Sequence, residues 1–424
     1  MKNERGSKRR MNRFNCLALG LLVSLMLPAA VWASDTYSVD GYYKSFFVGY
    51  DIPARYSAFY GSDAPLGSVS SRLRLNGTWW FSDRAHLRLS YDFAPRVQDH
   101  LLFVLPPTPT VIDPSSYRIV DFDSRLYPTE SEDVASFAVF HNVDRAFVTV
   151  EMDRFDLYLG RQPIAFGSAR VVNPTDVIAP YTYETLDTED RIGVDAVRAR
   201  IPTGFMGEVD AGYVFGDDFE FEKSAFFLRA KLYAMKTDLS LMILGFRENL
   251  MVGIDMARSI GGTGCWLEAA HVFSDALAED DDTGSRDYFR GSLGFDYSFA
   301  NNTYVFVEYH FNQAGKDDAA EYRDSYSQGA YLKGSVYLLG RHYLTPGVTW
   351  EFTPLIYGSM QLLTNLSDQS IYVTPSIEYN VAENIYLSGG AFIGLGDSPD
   401  WALEMDSEFG SYPDIFFTSF RLYF

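Results

Sequence analysis

The amino-acid sequence predicts an all-β fold: a transmembrane antiparallel up-and-down barrel of about 18 strands, with 16 as the alternative count. Three observations lead to this prediction. Segments of about ten residues alternate between polar and apolar side chains, the connections between them are alternately short and long, and the chain ends on an aromatic strand. Because a closed barrel leaves no unpaired sheet edge in lipid, we expect residues 34–424 to form one domain.

The first 33 residues have the composition of a secretory signal peptide. Six basic residues and one acid precede an apolar run at 16–30, and small residues follow up to Ala33. A basic start, a short apolar core and an A-x-A-like end are typical of such signals. The alternative is an anchoring helix, but the run is shorter than a bilayer span and Pro28 interrupts it. Cleavage after Ala33 would change the net charge from −21 to −26.

The overall composition excludes several classes of protein. The 424 residues have a mean hydropathy of −0.10, too low for a bundle of transmembrane helices. A net charge of −21 argues against nucleic acid as a partner, because phosphates demand a basic surface. Two cysteines are too few for a disulfide framework, and no Cys-x-x-Cys pair is present. A soluble acidic β-rich protein is the alternative to a membrane barrel.

The period-two pattern is clearest in four segments. Polar residues at every second position interleave with apolar ones at 72–79, 197–201, 292–299 and 305–311. This alternation predicts strands that have one lipid-facing side and one side that faces water.

The connections between these segments predict the orientation of the barrel. Bacterial barrels have short periplasmic turns and longer extracellular loops. Counting every alternating segment gives 19 strands, whereas two periplasmic termini require an even number. Assigning 313–340 wholly to an extracellular loop restores 18, and 96–141 is the other long extracellular loop. The short turns are at 82–84, 153–154, 202–204, 235–237, 261–263, 301–302, 353–354 and 381–383, and the other long loops at 51–68, 163–193, 274–287 and 395–414.

The last ten residues have the pattern of a targeting strand. Phe420, Leu422 and Phe424 share one face, and the chain ends on the last of them. This looks like the C-terminal signal that the barrel-assembly machinery of Gram-negative bacteria recognises. We therefore expect these three residues to act during biogenesis.

Several short stretches carry a family resemblance. They are Gly160-Arg161-Gln162, Phe166-Gly167, Asn173-Pro174-x-Asp176 with Pro180, Glu308-Tyr309-His310, Gly340-Arg341-His342-Tyr343 and Asn365-Leu366-Ser367-Asp368. They resemble segments of large porin-like outer-membrane barrels of Gram-negative bacteria, of which the alginate-export type is one branch. The resemblance implies a monomeric barrel of 16 to 18 strands that passes solutes, and it does not imply a particular substrate.

Placing the apolar side of each strand outward assigns charged residues to the pore. A charge near the lipid midplane costs about 2–4 kcal/mol for Arg or Lys, so these side chains should point inward. The first half of the chain contributes mainly bases and the second half mainly acids. The predicted pore-lining residues are Arg72, Arg74, Arg88, Arg145, Arg198, Arg200, Arg229, Lys231, Asp255, Glu268, Asp296, Glu308, Glu351 and Glu378.

The loop at 163–193 is the best candidate for an inward-folded constriction. It combines acidic residues with tyrosines. We expect its acids to face the pore-lining arginines of the first half of the chain (the arginine ladder), which would give an electric field across the pore. The alternative is that the lumenal charges merely pair and keep the interior hydrated. The predicted constriction residues are Asp176, Tyr181, Tyr183, Glu184, Asp187, Glu189 and Asp190.

These features together predict a passive outer-membrane channel for small hydrophilic or charged solutes, filtered by charge in a water-filled pore. The alternatives are export of an anionic polysaccharide, which needs a wide basic lumen, and a sheath around a multihaem cytochrome. An enzyme is disfavoured because none of the six histidines sits in a recognisable nucleophile motif. We expect no cofactor and no metal site. The expected partners are outer-membrane lipid and lipopolysaccharide, the assembly machinery and the solutes.

Overall fold

The computed structural model of the chain is an antiparallel sheet that closes on itself. It describes residues 32–34, 36–53, 65–104, 117–120, 124–204, 206–279, 285–333, 336–398 and 405–424. Eighteen strands form the closed barrel, and two short strands each pair with one barrel strand without being part of the ring. The strands are β1 (Trp32–Ser34), β2 (Tyr37–Asp51), β3 (Leu66–Ser82), β4 (Ala85–Gln98), β5 (Ser124–Tyr127), β6 (Phe137–Glu151), β7 (Asp156–Pro163), β8 (Gly193–Pro202), β9 (Glu208–Val214), β10 (Ala225–Ala234), β11 (Thr237–Phe246), β12 (Asn249–Ile260), β13 (Thr263–Phe273), β14 (Tyr288–Ser298), β15 (Thr303–Asn312), β16 (His342–Thr353), β17 (Ile356–Asn365), β18 (Ile371–Ala382), β19 (Ile385–Leu395) and β20 (Asp414–Tyr423).

The barrel closes between its first and last long strands. β2 pairs with both β3 and β20, from Tyr42 opposite Tyr423 to Asp51 opposite Asp414. The short strands β1 and β5 add to β2 and β6 without interrupting the ring, since β4 pairs directly with β6. The structure therefore confirms the predicted fold class and selects 18 strands over 16.

The connections are short at one end of the barrel. Two-residue turns join β10 to β11 and β12 to β13, with positive φ at Met235, Lys236, Gly261 and Gly262. Such primed turns match the right-handed twist of the strands they join. The other end carries the longer loops, although the β11–β12 connection there is also only two residues long.

The outer surface is apolar and bears aromatic rings near both ends. Exposed aromatic residues at membrane boundaries are typical of barrels in lipid, because their rings sit at the headgroup level. Leu75, Val197 and Leu293 are exposed on the predicted outward register between them. The outward rings near the short turns include Trp79, Phe81, Phe299, Trp350, Phe352 and Tyr379, and those near the long loops include Phe47, Phe273, Phe289 and Phe416.

The buried apolar side chains lie where loops fold against the inside of the strands. One core cluster joins loop 164–192 to β8–β14 and to loop 313–341, with Ile164, Phe166 and Leu339 among its members. A second cluster joins Tyr343, Tyr372 and Phe409 at the tops of β16, β18 and the last loop. The barrel interior is therefore packed with loop residues over much of its circumference.

The long loops differ in detail from their predicted bounds. β4 extends to Gln98 and β6 begins at Phe137, so that loop is 99–136 rather than 96–141. The described residues between β15 and β16 (313–333 and 336–341) belong to no barrel strand, as the even strand count required. No helix among the described residues is both long and apolar enough to cross a membrane. The predicted signal peptide lies almost wholly outside the described residues. The helices are Leu101–Val104, Asp217–Phe219, Phe221–Lys223, Ala319–Glu321, Tyr322–Ser325, Gly329–Leu332 and Phe409–Ser411.

Candidate functional site: the infolded loop and the lumen

Loop 164–192, between β7 and β8, runs along the inside of the barrel. It contacts β12–β15 first, then β17 and β18, and finally β2 and β3, before it returns to β8. Hydrogen bonds and ion pairs to these strands hold it there.

The first contact is a buried carboxylate on β13. Glu268 is fully buried and accepts hydrogen bonds from the backbone N–H groups of Ser168, Ala169 and Thr175, at 2.8–3.0 Å. The hydroxyl of Thr175 donates a fourth at 2.7 Å. Gly167 passes so close that a Cβ there would lie 2.6 Å from this carboxylate, and its φ of +94° favours glycine. Glu268 thus fixes the path of the loop and leaves room only for glycine at position 167.

Glu308 on β15 repeats this arrangement one step further along. It is almost fully buried and accepts from the N–H groups of Arg170, Val171 and Val172, and from the Trp266 indole at 2.9 Å. Buried carboxylates need such donors, because an uncompensated charge would be costly. The sequence predicted Glu268 and Glu308 as pore-lining. Both point inward, but the loop covers them, so they are anchors and do not meet the pore.

Two further acids of the second half also hold this part of the loop. Asp255 on β12 accepts a hydrogen bond from the Ser168 hydroxyl. Asp296 on β14 pairs with Arg170 at 3.2 Å and accepts from the Tyr304 hydroxyl at 3.0 Å. Arg170 itself keeps about half of its side chain exposed to the lumen.

The acidic end of the loop meets bases on β2 and β3. Lys44 Nζ lies 3.0 Å from Asp187 and 2.6 Å from Glu189. Arg72 pairs with Asp187 at 3.4 Å. These contacts bring together the acids and the β3 arginines, but in direct ion pairs rather than across an open gap. Lys44 is not among the predicted pore-lining residues, although its register on β2 places it inside.

Arg74 lies at the centre of a denser network. It is buried and pairs with Asp144 at 2.5 Å, Asp92 at 3.5 Å and Asp190 at 3.6 Å, and Asp190 also accepts from the Tyr42 hydroxyl at 2.8 Å. Strict alternation would put Asp144 in lipid. A register shift opposite Ser90 and Tyr91 turns it inward beside Arg145, because a bulge lets two successive residues face the same side.

Three more of the predicted bases form a second group on β8–β10. Arg198 makes a two-point contact with Asp210, at 2.8 and 2.5 Å. Arg229 pairs with Asp210 at 3.4 Å and Glu208 at 3.1 Å, and Arg200 lies 3.8 Å from Asp210. Asp210 is fully buried under these guanidinium groups. The predicted ladder is therefore largely neutralised by acids on the same half of the wall.

Four other predicted pore residues lie away from the loop. Lys231 is opposite Glu208 in the ladder, and Glu378 is paired with Arg421. Arg88 is exposed on the same inward register as Asp92. Glu351 faces inward next to the short turn of β16.

Asp176 occupies a different place from the acids that follow it in the loop. It is buried 2.9 Å from Arg191, whose guanidinium lies over the Tyr181 ring at 3.8 Å. Burial raises the pKa of Asp176 to about 6, and Arg191 opposes this rise. Asp176 braces the returning arm of the loop and does not meet the β3 arginines. Glu184 lies towards Tyr372 and likewise stands apart from them.

A cavity of about 550 Å³ separates the loop from the wall of β17–β20. Tyr183 reaches across it, with its hydroxyl 3.4 Å from Gln361 and 3.3 Å from Thr374. Arg170, Asp176 and the guanidinium of Arg191 are on the loop side. This cavity is the candidate passage for solutes.

The three predicted assembly residues lie on the last strand. Phe420 and Leu422 are on the outward register of β20, and the Phe420 ring is 6.3 Å from that of Tyr43. Phe424 exchanges two backbone hydrogen bonds with Gly41, both at 2.9 Å, and so the end of the chain is tied to β2. Their part in assembly stays a prediction.

The stretches that carried the family resemblance are those where loops meet the wall. Gly167 and Glu308 belong to the two anchors, and Tyr343 and Asn365 donate to buried Glu408 in the last loop. Arg161, on the outward register, is buried beneath 117–120 and pairs with Asp195 at 2.8 Å.

No protein-family model and no curated protein sequence matches this chain, but solved structures match its fold. OccAB3 of Acinetobacter baumannii is 10% identical, with a TM-score of 0.55 over 92% of this chain and 100% of that one. OccK5 (OpdH) of Pseudomonas aeruginosa is also 10% identical, with a TM-score of 0.55 over 92% of this chain and 99% of that one. The outer membrane protein opdK of Pseudomonas aeruginosa is 8% identical, with a TM-score of 0.53 over 92% of this chain and 98% of that one. In its fold, the chain is thus similar to these proteins: a closed antiparallel β-barrel of 18 strands.

Proposed function

We propose that the protein is a passive channel in the outer membrane of a Gram-negative bacterium, and that small hydrophilic solutes diffuse through it. The observation that carries this proposal is the infolded loop 164–192, which leaves a polar cavity of about 550 Å³ against one wall. A barrel that served only as an anchor would have no need of a loop held inside it by two buried glutamates. The expected surroundings are lipid and lipopolysaccharide outside, and assembly proteins during biogenesis.

Charge filtering is the finer part of this proposal. Most lumenal charges are in ion pairs, which reduces the field that an arginine ladder alone would create. Arg170 and Arg72 keep substantial exposure, so they are the bases that a passing ion would meet. A rim of like charges in a narrow pore sets ion preference at short range. Among small ions, we therefore propose a modest preference for anions over cations.

Conductance of the purified protein in a planar bilayer tests both parts. We expect discrete current steps in KCl from partner-free protein, and a reversal potential in a salt gradient that lies slightly on the anion side. Exchange of exposed Arg72 for Gln should shift that potential towards cations. Absence of current from folded protein would contradict the channel, whereas current with an unchanged potential would contradict only the filter.

The alternatives from the sequence receive less support from this geometry. Export of an anionic polymer needs a wide and basic lumen, but here the loop crosses the lumen and its acids occupy the bases. A sheath for a cytochrome needs room for a folded partner, and loop packing fills much of the interior. Channel function without an enzymatic step remains the simplest proposal, and it requires no cofactor.

A further inference from the structure

The cavity between the loop and the β17–β20 wall differs from the rest of the lumen in its chemistry. Among the described residues that line its wall side, the polar groups are hydroxyls and an amide, and none of these lining residues is charged. These groups come from inward positions of neighbouring strands, and they are Ser359, Gln361, Thr374 and Ser376. Ser388 and Ser419 continue the same polar surface on β19 and β20 through a hydroxyl–hydroxyl contact of 2.5 Å.

Apolar rings border this polar strip. Phe392 and Phe417 line the cavity on the wall side, and the Tyr183 ring lies 6.5 Å from that of Phe392. On the loop side, Thr182 and Thr188 add hydroxyl groups. The passage thus combines neutral hydrogen-bonding groups with flat apolar faces.

The charged groups that reach this cavity already have partners. Arg191 is 2.9 Å from Asp176, and Arg170 is 3.2 Å from Asp296. An anionic solute would have to compete with these carboxylates for the guanidinium groups. A cation would have to compete with the same bases for the acids. An uncharged solute faces no such competition.

We infer that the passage is selective for uncharged, polyhydroxylated solutes of the size of a monosaccharide or disaccharide. This inference rests on the proposed channel function and names its solute class. Such a solute exchanges water for the hydroxyl and amide groups of β17 and β18, so no buried polar group is left unpaired. Its C–H faces can lie against Phe392 and Phe417. A cavity of about 550 Å³ is within the range of roughly 300–1,000 Å³ of small-molecule sites.

Tracer flux through proteoliposomes separates charge from size. Labelled glucose and labelled glucuronate share a hydroxylated six-membered sugar ring and differ by the carboxylate at C6, and KCl on both sides compensates the glucuronate charge. We expect glucose to cross faster by about two- to tenfold, the factor that one neutral hydrogen bond provides. Glucuronate flux equal to or greater than glucose flux would overturn the inference.

A pair of matched substitutions locates the selectivity. Thr374→Val removes a cavity hydroxyl on β18, while Thr149→Val makes the same change at a buried inward position on β6, outside this cavity. We expect Thr374→Val to slow glucose at low concentration by about two- to tenfold and to leave KCl conductance unchanged. Thr149→Val should leave both unchanged. Equal glucose rates in the two variants would overturn the assignment to this wall.

The KCl current distinguishes failure of this inference from failure of the channel proposal. Protein that conducts KCl but does not favour glucose is a channel of another specificity. Folded protein that conducts nothing contradicts the channel and this inference together. If Thr374→Val does not fold, Ser376→Ala tests the same strip, and we expect the same loss of glucose flux with normal KCl current.

Discussion

The wall of β13–β15 and the wall of β17–β20 face the same loop in opposite ways. On β13 and β15, Glu268 and Glu308 are buried and receive eight hydrogen bonds, six of them from loop backbone. On β17 and β18, the loop makes contacts of 3.3–3.4 Å through Tyr183, and a cavity lies between. One wall fixes the loop and the other leaves space for solutes. Charged residues inside a barrel can therefore shape the pore without lining it.

Removing both anchors should have the largest effect. With Glu268→Ala and Glu308→Ala, each loop N–H that stays buried without an acceptor costs about 1–3 kcal/mol, so the loop should leave the wall. Single-channel conductance should then rise by roughly twofold or more, since conduction depends on the width of the narrowest part. Glu351→Ala is the matched control, because Glu351 faces inward on β16 next to a short turn. Unchanged conductance in the double variant would show that the loop does not limit the pore.

A single methyl group at Gly167 should weaken the same wall by less. Its Cβ would lie 2.5 Å from Asn173 and 2.6 Å from Glu268, in a backbone with a φ of +94°. We expect Gly167→Ala to lower the free energy of unfolding by about 1–3 kcal/mol. Gly49→Ala, at a site with open space around it, should cost less than about 1 kcal/mol. Heat-dependent unfolding of the two variants in detergent provides the comparison, and equal melting temperatures would contradict a close fit.

A charge placed on the open wall should change selectivity rather than stability. Ser376→Asp puts a carboxylate beside the cavity, where water can solvate it, so folding should be little affected. The reversal potential in a KCl gradient should shift modestly towards cations, because one charge is screened within about 10 Å at 0.1 M salt. The same change at Ser292, which is buried and hydrogen-bonded to Val172 and His310, should instead impair folding. Similar behaviour of the two variants would remove the distinction between the walls.

The stability of the last long loop should depend on pH, because this loop also contains a buried glutamate that accepts hydrogen bonds. Glu408, buried in the last loop, accepts hydrogen bonds at 2.9 Å from the Leu339 N–H and the Asn365 amide. Burial raises its pKa from 4.5 to about 7. A raised pKa means that the contribution to stability is fully present below pH 4.5 and is lost as the pH rises through about 7.

Limited proteolysis measures this response. We expect loop 396–413 to be cut slightly faster at pH 8 than at pH 5.5, and Glu408→Gln to abolish that difference, because an amide does not titrate. A protease that is equally active at both pH values, or correction with an unfolded substrate, serves as the control. The same pH dependence in the glutamine variant would assign the effect to another group.

The amino-acid sequence alone determined the class of fold. Alternation, turn spacing and the aromatic last strand are local consequences of putting lipid on one side and water on the other, so they can be read residue by residue. The requirement for an even number of strands corrected the count from 19 to 18, and it assigned 313–340 to a loop. The inward direction of Arg74, Arg198 and Glu268 followed from the same rule.

Only the tertiary structure decided what those inward residues do. Whether Glu268 meets water or a loop depends on contacts about 100 positions away, and whether Arg74 is free depends on Asp144, which a bulge turned inward. Period two fixes which side of a strand a residue occupies, but not what covers that side. The pairing of charges across the lumen is a property of the closed cylinder, in which residues distant along the chain face each other.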